Sequence, residues 1–123
     1  MAAVLVAEDE PDIRDLIRSV LEHSGHRVLE ARNGNEVWTR LQEGPVDLVL
    51  LDIMLPGMDG HTVQMKLSED PVLRKIPVIM ISALEYAKDM FHKFPNVRDF
   101  LPKPFSPLQL DEAVRRIVPA ETL

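Results

Sequence analysis

The feature that most constrains the fold is an apolar run that ends in an acid: residues 48–51 are Leu, Val, Leu and Leu, and Asp52 follows them. A continuous apolar run of this length is typical of a strand buried on both faces, as in the middle of a parallel sheet. A carboxylate at the end of such a strand is costly unless it has a partner or a chemical role. The run therefore predicts a buried central strand and a functional acid at its carboxyl end.

A second apolar segment also ends in acids, since residues 4–7 are followed by Glu8, Asp9 and Glu10. If the two strands are neighbours and parallel, their carboxylates meet at one edge of the sheet. Two unit charges about 4 Å apart repel by roughly 4 kcal/mol at an effective dielectric constant near 20. Oxygen-rich sites of this kind suit Mg²⁺. The acids therefore predict a Mg²⁺ site at this edge.

Strand-like segments alternate with amphipathic helical patterns along the whole chain. Strands are predicted at residues 3–7, 27–31, 47–52, 77–81 and 98–101. A helix is predicted after each strand. The first begins at Pro11, the second at the capping pair Asn33 and Glu36, the third at Asp59 or Gly60, and the fourth near Leu84. The fifth begins at the capping residues Ser106, Pro107 and Gln109 and continues to Val118. This alternation predicts a doubly wound parallel α/β sheet with right-handed crossovers and helices on both faces. Ligands bind such sheets beyond the carboxyl ends of the strands, where the acids lie.

Length and composition narrow the functional classes. We expect residues 1–123 to form one domain without an output domain. Fourteen basic residues against 20 acidic ones give a net charge of −6, which argues against direct binding to nucleic acid or to an anionic membrane. The chain has no cysteine, so thiolate metal sites are excluded. With no signal-peptide pattern and no apolar run near the ~20 residues that span a bilayer, the expected location is cytoplasmic.

Not every acid is equally informative. Glu8 and Asp9, taken alone, are equally compatible with a solvated loop or with the first turn of a helix, where the helix dipole favours acids. Asp52 interrupts a strong apolar run, which favours a functional role. The methionines at positions 54, 58, 65, 80 and 90 are predicted to be packing residues, and the four histidines share no motif with the acids.

Lys103 is the predicted counter-charge of the acids. It lies between Pro102 and Pro104, which restrict its backbone, and the bond to Pro104 is open to the cis form. Ser82 ends the fourth strand at the same edge, where it either caps the next helix or belongs to the site. Phe100 is most simply explained as a core aromatic residue.

In this order and spacing, these residues resemble the receiver domain of two-component response regulators over essentially the full length. The matching segments are residues 4–10, 47–60, 79–83 and 100–105. The resemblance implies a flavodoxin-like fold with strand order 2-1-3-4-5. It also implies that Asp52 accepts a phosphoryl group from the phosphohistidine of a histidine kinase. Glu8, Asp9 and Asp52, with the backbone carbonyl of Met54, would bind Mg²⁺.

The resemblance assigns the other residues as well. Lys103 would hold a phosphoryl oxygen, Ser82 would turn to bind the phosphoryl group, and Phe100 would occupy the aromatic switch position. Phosphorylation would change the face formed by the fourth helix, fifth strand and fifth helix. The implied partners are a sensor histidine kinase or phosphotransfer protein and an unidentified downstream protein, and homodimerisation on phosphorylation stays open. A receiver domain is not a conventional enzyme, although it catalyses its own phosphorylation. For this chain we also expect slow self-dephosphorylation.

Residues 93–98 depart from the family pattern, which commonly has a Gly-Ala pair there, and the spacing from Ser82 to Lys103 is about one residue short. We therefore expect a truncated or irregular fourth helix. Two alternative functions remain: a pseudo-receiver that only docks proteins, and the excised receiver of a larger regulator or hybrid kinase. A haloacid-dehalogenase-type phosphatase would need a second acid where Met54 stands.

Overall fold

The computed structural model describes residues 2–83 and 93–118. Within these ranges the chain forms five strands, four α-helices and one 3₁₀ turn. In chain order they are β1 (Ala3–Ala7), α1 (Pro11–His23), β2 (Arg27–Ala31), α2 (Gly34–Glu43), β3 (Leu48–Asp52), α3 (Gly60–Glu69), the 3₁₀ turn (Leu73–Lys75), β4 (Val78–Ser82), β5 (Val97–Pro102) and α4 (Pro107–Arg115). The predicted fourth helix falls largely on residues 84–92, outside the described residues. The helix predicted as the fifth is therefore α4.

All strands are parallel, and their order is β2-β1-β3-β4-β5, so the predicted flavodoxin-like sheet is confirmed. Every residue of β3 and β4 is buried, as expected for central strands covered on both faces. Alternate residues of β1 enter different cores: Leu5 and Ala7 pack on the side of α2 and α3, whereas Val4 and Val6 pack on the side of α1 and α4. Each face of the sheet thus has its own hydrophobic core.

The register of the central strands brings two acids to one edge. Ala7 of β1 pairs with Leu51 of β3. Each of these residues is followed by an acid: Glu8 comes directly after β1, and Asp52 is the last residue of β3. The first turn of α3 closes over the same edge, because a Cβ atom on Gly60 would lie only 2.4 Å from the backbone oxygen of Asp52. Only glycine allows this close approach of a helix to the end of β3.

The strand boundaries differ slightly from the prediction. Asp47 was expected in β3, but it precedes the strand and its carboxylate accepts a hydrogen bond from the Ala3 amide at 2.8 Å. The fourth strand was predicted at residues 77–81, but it begins at Val78 and includes Ser82, whose carbonyl accepts the Lys103 amide at 2.9 Å. The last helix ends at Arg115 rather than extending to Val118.

Two side-chain predictions were also wrong in part. Asn33 caps α2 by accepting the Glu36 amide at 2.9 Å, but the Glu36 carboxylate accepts the Arg32 amide instead of completing a reciprocal pair. Met54 and Met65 are 64% and 37% exposed, so they are not packing residues. The capping box of Ser106 and Gln109 at the start of α4 is confirmed.

The unusual segment before β5 is fixed to α3 by a buried pair of amides. The Gln64 side chain donates to Asn96 Oδ1 at 2.8 Å, and the Asn96 side chain donates back to Gln64 Oε1 at 3.3 Å. The backbone carbonyl of Asn96 also accepts the Val78 amide at 2.7 Å. These bonds attach the start of β5 to both α3 and β4. None of the helices in the described ranges is long and apolar enough to cross a bilayer.

Candidate functional site

Two buried carboxylates and one lysine meet at the carboxyl edge of the sheet. Glu8 is fully buried and Asp52 is 2% exposed. The ammonium Nζ of Lys103 lies 2.7 Å from Glu8 Oε1 and 2.7 Å from Asp52 Oδ2. Glu10 lies 3.2 Å from the same nitrogen. The prediction that Lys103 is the counter-charge of the acids is therefore confirmed, and its bond to Pro104 is cis.

Each oxygen of the Asp52 carboxylate has its own partner. Oδ1 accepts a hydrogen bond from the backbone N–H of Met54 at 2.8 Å, and Oδ2 accepts one from Lys103 at 2.7 Å. The β3–α3 connection and the β5–α4 connection therefore hold the carboxylate from two sides. This arrangement fixes the orientation of the Asp52 carboxylate.

Burial and the nearby Asp52 carboxylate change the titration of Glu8. Burial, and next the hydrogen bond with Asp52, raise the pKa of Glu8 from an ordinary value of 4.5 to about 7. Burial alone would lower the pKa of Lys103, but its contacts with Asp52 and Glu8 outweigh burial and raise that pKa above its ordinary value. Lys103 therefore stays charged, and Glu8 is the group that gains or loses a proton near neutral pH.

The donor set fits a hard divalent cation. One carboxylate oxygen from each of Glu8, Asp9 and Glu10 can lie within 4.8 Å of the others. Glu8 Oε1 is buried, and although it contacts the Lys103 ammonium, no donor among the described residues makes a well-aligned hydrogen bond to it. A buried carboxylate oxygen of this kind is suited to a metal ion. Asp52, predicted as the third ligand, is not one of the three residues of this compact group, although it shares the Lys103 ammonium with Glu8.

Ser82 and Phe100 lie on the neighbouring strands. Ser82 is 5% exposed at the end of β4, two residues beyond Met80, which pairs with Phe100 of β5. Phe100 is half-buried and packs against the core on the α2 and α3 side, as expected for a core aromatic residue. Leu84, which follows this strand, lies outside the described residues.

One residue at this edge was missed by the sequence reasoning. Arg14 of α1 donates from Nη1 to the backbone carbonyl of Glu8 at 2.9 Å and to that of Asp9 at 3.4 Å. Its Nε donates to Glu30 Oε2 of β2 at 2.8 Å. A signal was present, because helical side chains point towards the helix N-terminus, and Arg14 lies one turn after the acidic loop.

The raised pKa of Glu8 predicts an unusual pH dependence of the metal-free protein. Since the folded state binds this proton more tightly than the unfolded state, the stability it contributes is complete below about pH 4.5 and is lost as the pH rises through about 7. Urea unfolding in chelator should therefore give a free energy of unfolding that falls between pH 5 and pH 8. The Glu8→Gln variant should lack this decline; an equal decline in both proteins would contradict the assignment to Glu8.

Comparison with known proteins gives one consistent family. The model of the response regulator receiver domain matches residues 4–115. The response regulator GtcR of Aneurinibacillus migulanus is 38% identical over 115 residues, which are 93% of this chain and 45% of that protein. RpaA of Synechocystis, described as a DNA-binding dual master transcriptional regulator, is 34% identical over 96% of this chain and 49% of its own length. The chain thus spans about half the length of these relatives.

A solved structure shares both the fold and detectable sequence. The response regulator TrrA of Thermotoga maritima, determined in complex with Mg²⁺ and BeF, has a TM-score of 0.84 and 28% sequence identity. The match covers 96% of this chain and 100% of that one. The similarity therefore extends over nearly the whole chain.

Proposed function

Because the chain belongs to the family of response regulator receiver domains, we propose that it is a phosphorylation-controlled switch in which Asp52 accepts a phosphoryl group from the phosphohistidine of a histidine kinase or phosphotransfer protein. One observation carries the proposal: the buried Asp52 carboxylate is held between Lys103 Nζ and the Met54 amide, beside Glu8. The direct test is phosphorylation by a small phosphodonor, compared between the native protein and an Asp52 variant.

Transfer requires Asp52 to attack phosphorus in line with the bond that breaks. A carboxylate oxygen of Asp52 forms the new P–O bond while the P–N bond of the phosphohistidine breaks. The donor ring leaves as neutral imidazole, with its proton already on the other ring nitrogen. Lys103 and the Ser82 hydroxyl then hold phosphoryl oxygens. The protein's contribution is positioning and charge compensation, as phosphoryl transfer demands.

Mg²⁺ is the proposed cofactor, with Glu8, Asp9 and Asp52 as side-chain ligands and Met54 as a carbonyl ligand. When bound, Mg²⁺ neutralises the charge that develops on the phosphoryl oxygens. The crowding of carboxylates and the buried Glu8 oxygen support this assignment. The complex of TrrA with Mg²⁺ and BeF supports it by analogy. Glu8 must be deprotonated and Lys103 must release part of its contact with the acids before the ligands are free.

An apolar groove next to Asp52 is the proposed contact for the phosphodonor protein. It has a volume of about 470 Å³ and shares Lys103 with the phosphorylation site. Its other lining residues are Glu10, Ile13, Leu16, Ala83, Pro104 and Phe105. Because the groove adjoins the site through Lys103, a phosphodonor protein that brings its phosphohistidine to Asp52 could bury an apolar surface there, and this burial would stabilise the encounter.

A variant of the groove separates protein docking from chemistry. Ile13→Ser should slow transfer from a phosphohistidine protein about tenfold, equivalent to roughly 1.4 kcal/mol of lost contact, and leave phosphorylation by acetyl phosphate unchanged. Val72→Ser is the matched control, because Val72 is 72% exposed and lines a different apolar groove. Equal transfer rates for the native and Ile13→Ser proteins would contradict docking at this groove.

We further propose that Ser82 couples phosphorylation to the output face. A modification shifts a conformational equilibrium only through contacts that differ between the two states, and the new contact here is the Ser82 hydroxyl with a phosphoryl oxygen. Ser82→Ala should still be phosphorylated, but hydrogen exchange in the segments before and within β5, including Phe100, should respond less. The same response in both proteins would argue against this route.

The remaining assignments follow from the family. The downstream target is a protein that recognises the face around β5 and α4, and the proposed location is the cytoplasm. The net negative charge argues against direct nucleic-acid binding by these 123 residues. The argument does not extend to a longer protein that contains them, because RpaA, which is about twice as long, is described as DNA-binding. Dimerisation on phosphorylation is tested by comparing the molar mass of the native protein before and after treatment with phosphodonor.

A further inference from the structure

A guanidinium group holds the loop that carries the acids, and it does so through the backbone. Arg14 Nη1 donates to the carbonyl oxygens of Glu8 and Asp9 at 2.9 and 3.4 Å. The Arg14 side chain is only 12% exposed. These bonds use only backbone carbonyl oxygens and none of the carboxylate oxygens of the two acids. Lys103, in contrast, occupies carboxylate oxygens and competes with a cation for them.

The guanidinium is itself oriented from the neighbouring strand. Arg14 Nε donates to Glu30 Oε2 at 2.8 Å, and Glu30 lies on β2 beside Val6 of β1. The amide of Glu8 donates to the carbonyl of Ala31 at 3.0 Å, so β2 fixes the same loop a second time. A rigid fork of N–H donors can reach the loop and Glu30 together, whereas an ammonium group is a point charge without this geometry.

We infer that Arg14 is a positioning residue for the cation site, which it organises by fixing the backbone of Glu8 and Asp9 so that their carboxylates converge. This inference rests on the proposed function, because it takes Glu8 and Asp9 to be ligands of Mg²⁺. Partners that orient metal ligands commonly change metal affinity by about 10–100-fold when they are removed. Arg14 acts through the loop and does not contact the ion.

Replacement of Arg14 should change Mg²⁺ affinity in opposite directions, depending on whether Arg14 acts through its charge or through its bonds to the loop. Removal of a positive charge close to a cation site should tighten Mg²⁺ binding if Coulomb interaction alone decides. Loss of the bonds to the loop should weaken it. Arg18 provides the matched control, because it also pairs with Glu30 but is 45% exposed and, among the described residues, makes no hydrogen bond to the acidic loop. Arg14→Gln and Arg18→Gln each remove one positive charge, but only Arg14→Gln removes the hydrogen bonds to the backbone of the acidic loop.

The experiment is a calorimetric titration of Mg²⁺ into the unphosphorylated, metal-free protein. Arg14→Gln should weaken Mg²⁺ binding about tenfold or more, whereas Arg18→Gln should leave it unchanged or slightly tighter. Arg14→Lys keeps the positive charge but lacks the planar guanidinium whose N–H groups reach the loop and Glu30 together, so it should also weaken Mg²⁺ binding several-fold. Hydrogen exchange should report faster exchange of the amides of residues 8–10 in Arg14→Gln than in Arg18→Gln. Equal or tighter Mg²⁺ binding by Arg14→Gln would overturn the inference.

Two further results are decisive. If Arg14→Gln does not fold, Glu30→Leu keeps the guanidinium but removes its anchor, and it should weaken Mg²⁺ binding several-fold; native affinity in that variant would overturn the inference. If the native protein binds no Mg²⁺, the proposed metal site fails, and the role of Arg14 fails with it. Normal binding by the native protein with no loss in the Arg14 variants leaves the proposed function intact and rejects only the positioning role.

Discussion

Asp52→Asn is expected to abolish phosphorylation by acetyl phosphate in the presence of Mg²⁺. The amide has no negative charge and is a poor nucleophile, and it cannot replace the carboxylate oxygens that now bind Lys103 and the Met54 amide. The measurement is the intact mass of the protein after incubation. Asp12→Asn, which changes an exposed acid in the first turn of α1, should still gain one phosphoryl group.

The outcome also separates the alternative functions. If the Asp52→Asn protein still gains one Mg²⁺-dependent phosphoryl group, Asp52 is not the acceptor. If the native protein and the Asp12 variant fail to react although both are folded, the pseudo-receiver alternative is favoured. These results are distinct, because the first concerns which residue reacts and the second concerns whether the chain reacts at all.

The phosphorylated protein is expected to lose its phosphate slowly. In the family, the positions two residues after the acceptor and two after the Ser or Thr flank the approach of the attacking water. Here they are Met54 and Leu84. A thioether is only a weak acceptor and a leucine side chain has no hydrogen-bonding group, so neither can orient that water. Met54 is 64% exposed, and its side chain offers an approaching water no strong hydrogen-bonding group.

Met54→Asn combined with Leu84→Glu should therefore speed hydrolysis about tenfold or more, since roughly 1.4 kcal/mol of transition-state stabilisation is sufficient for a factor of ten. A time course of phosphate loss in Mg²⁺ measures this. Met65→Asn, at an exposed methionine on α3, is the control and should leave the rate unchanged. An unchanged rate in the double variant, or loss of phosphate within seconds in the native protein, would contradict the side-chain argument.

The sheet and the site's main residues could be predicted because their signals are local. The apolar run before Asp52 fixes β3 as a central strand, and the parallel order then brings Glu8 to the same edge. Lys103 could be placed because two prolines restrict its backbone. Boundaries were less predictable, since they depend on distant hydrogen bonds: Ser82 joins β4 through the Lys103 amide, which lies 21 residues along the chain.

Other features of the site depend on tertiary geometry that a pattern does not contain. The compact group of carboxylates consists of Glu8, Asp9 and Glu10 and does not include Asp52, so the exact grouping was not foreseen. Arg14 was missed because a polar residue within a helical pattern is typical of a solvated face, and its burial depends on Glu30 of β2. The exposure of Met54 was missed because apolar neighbours in sequence suggested packing.

The central claim is that Asp52 accepts a phosphoryl group in a Mg²⁺-dependent reaction. The most direct measurement is the intact mass of the native protein after incubation with acetyl phosphate in Mg²⁺ and, in parallel, in chelator, followed by mapping of the modified fragment. The account predicts a gain of one phosphoryl group, only in Mg²⁺, on the fragment that contains Asp52. No gain in Mg²⁺, or a phosphoryl group on a fragment without Asp52, would contradict it.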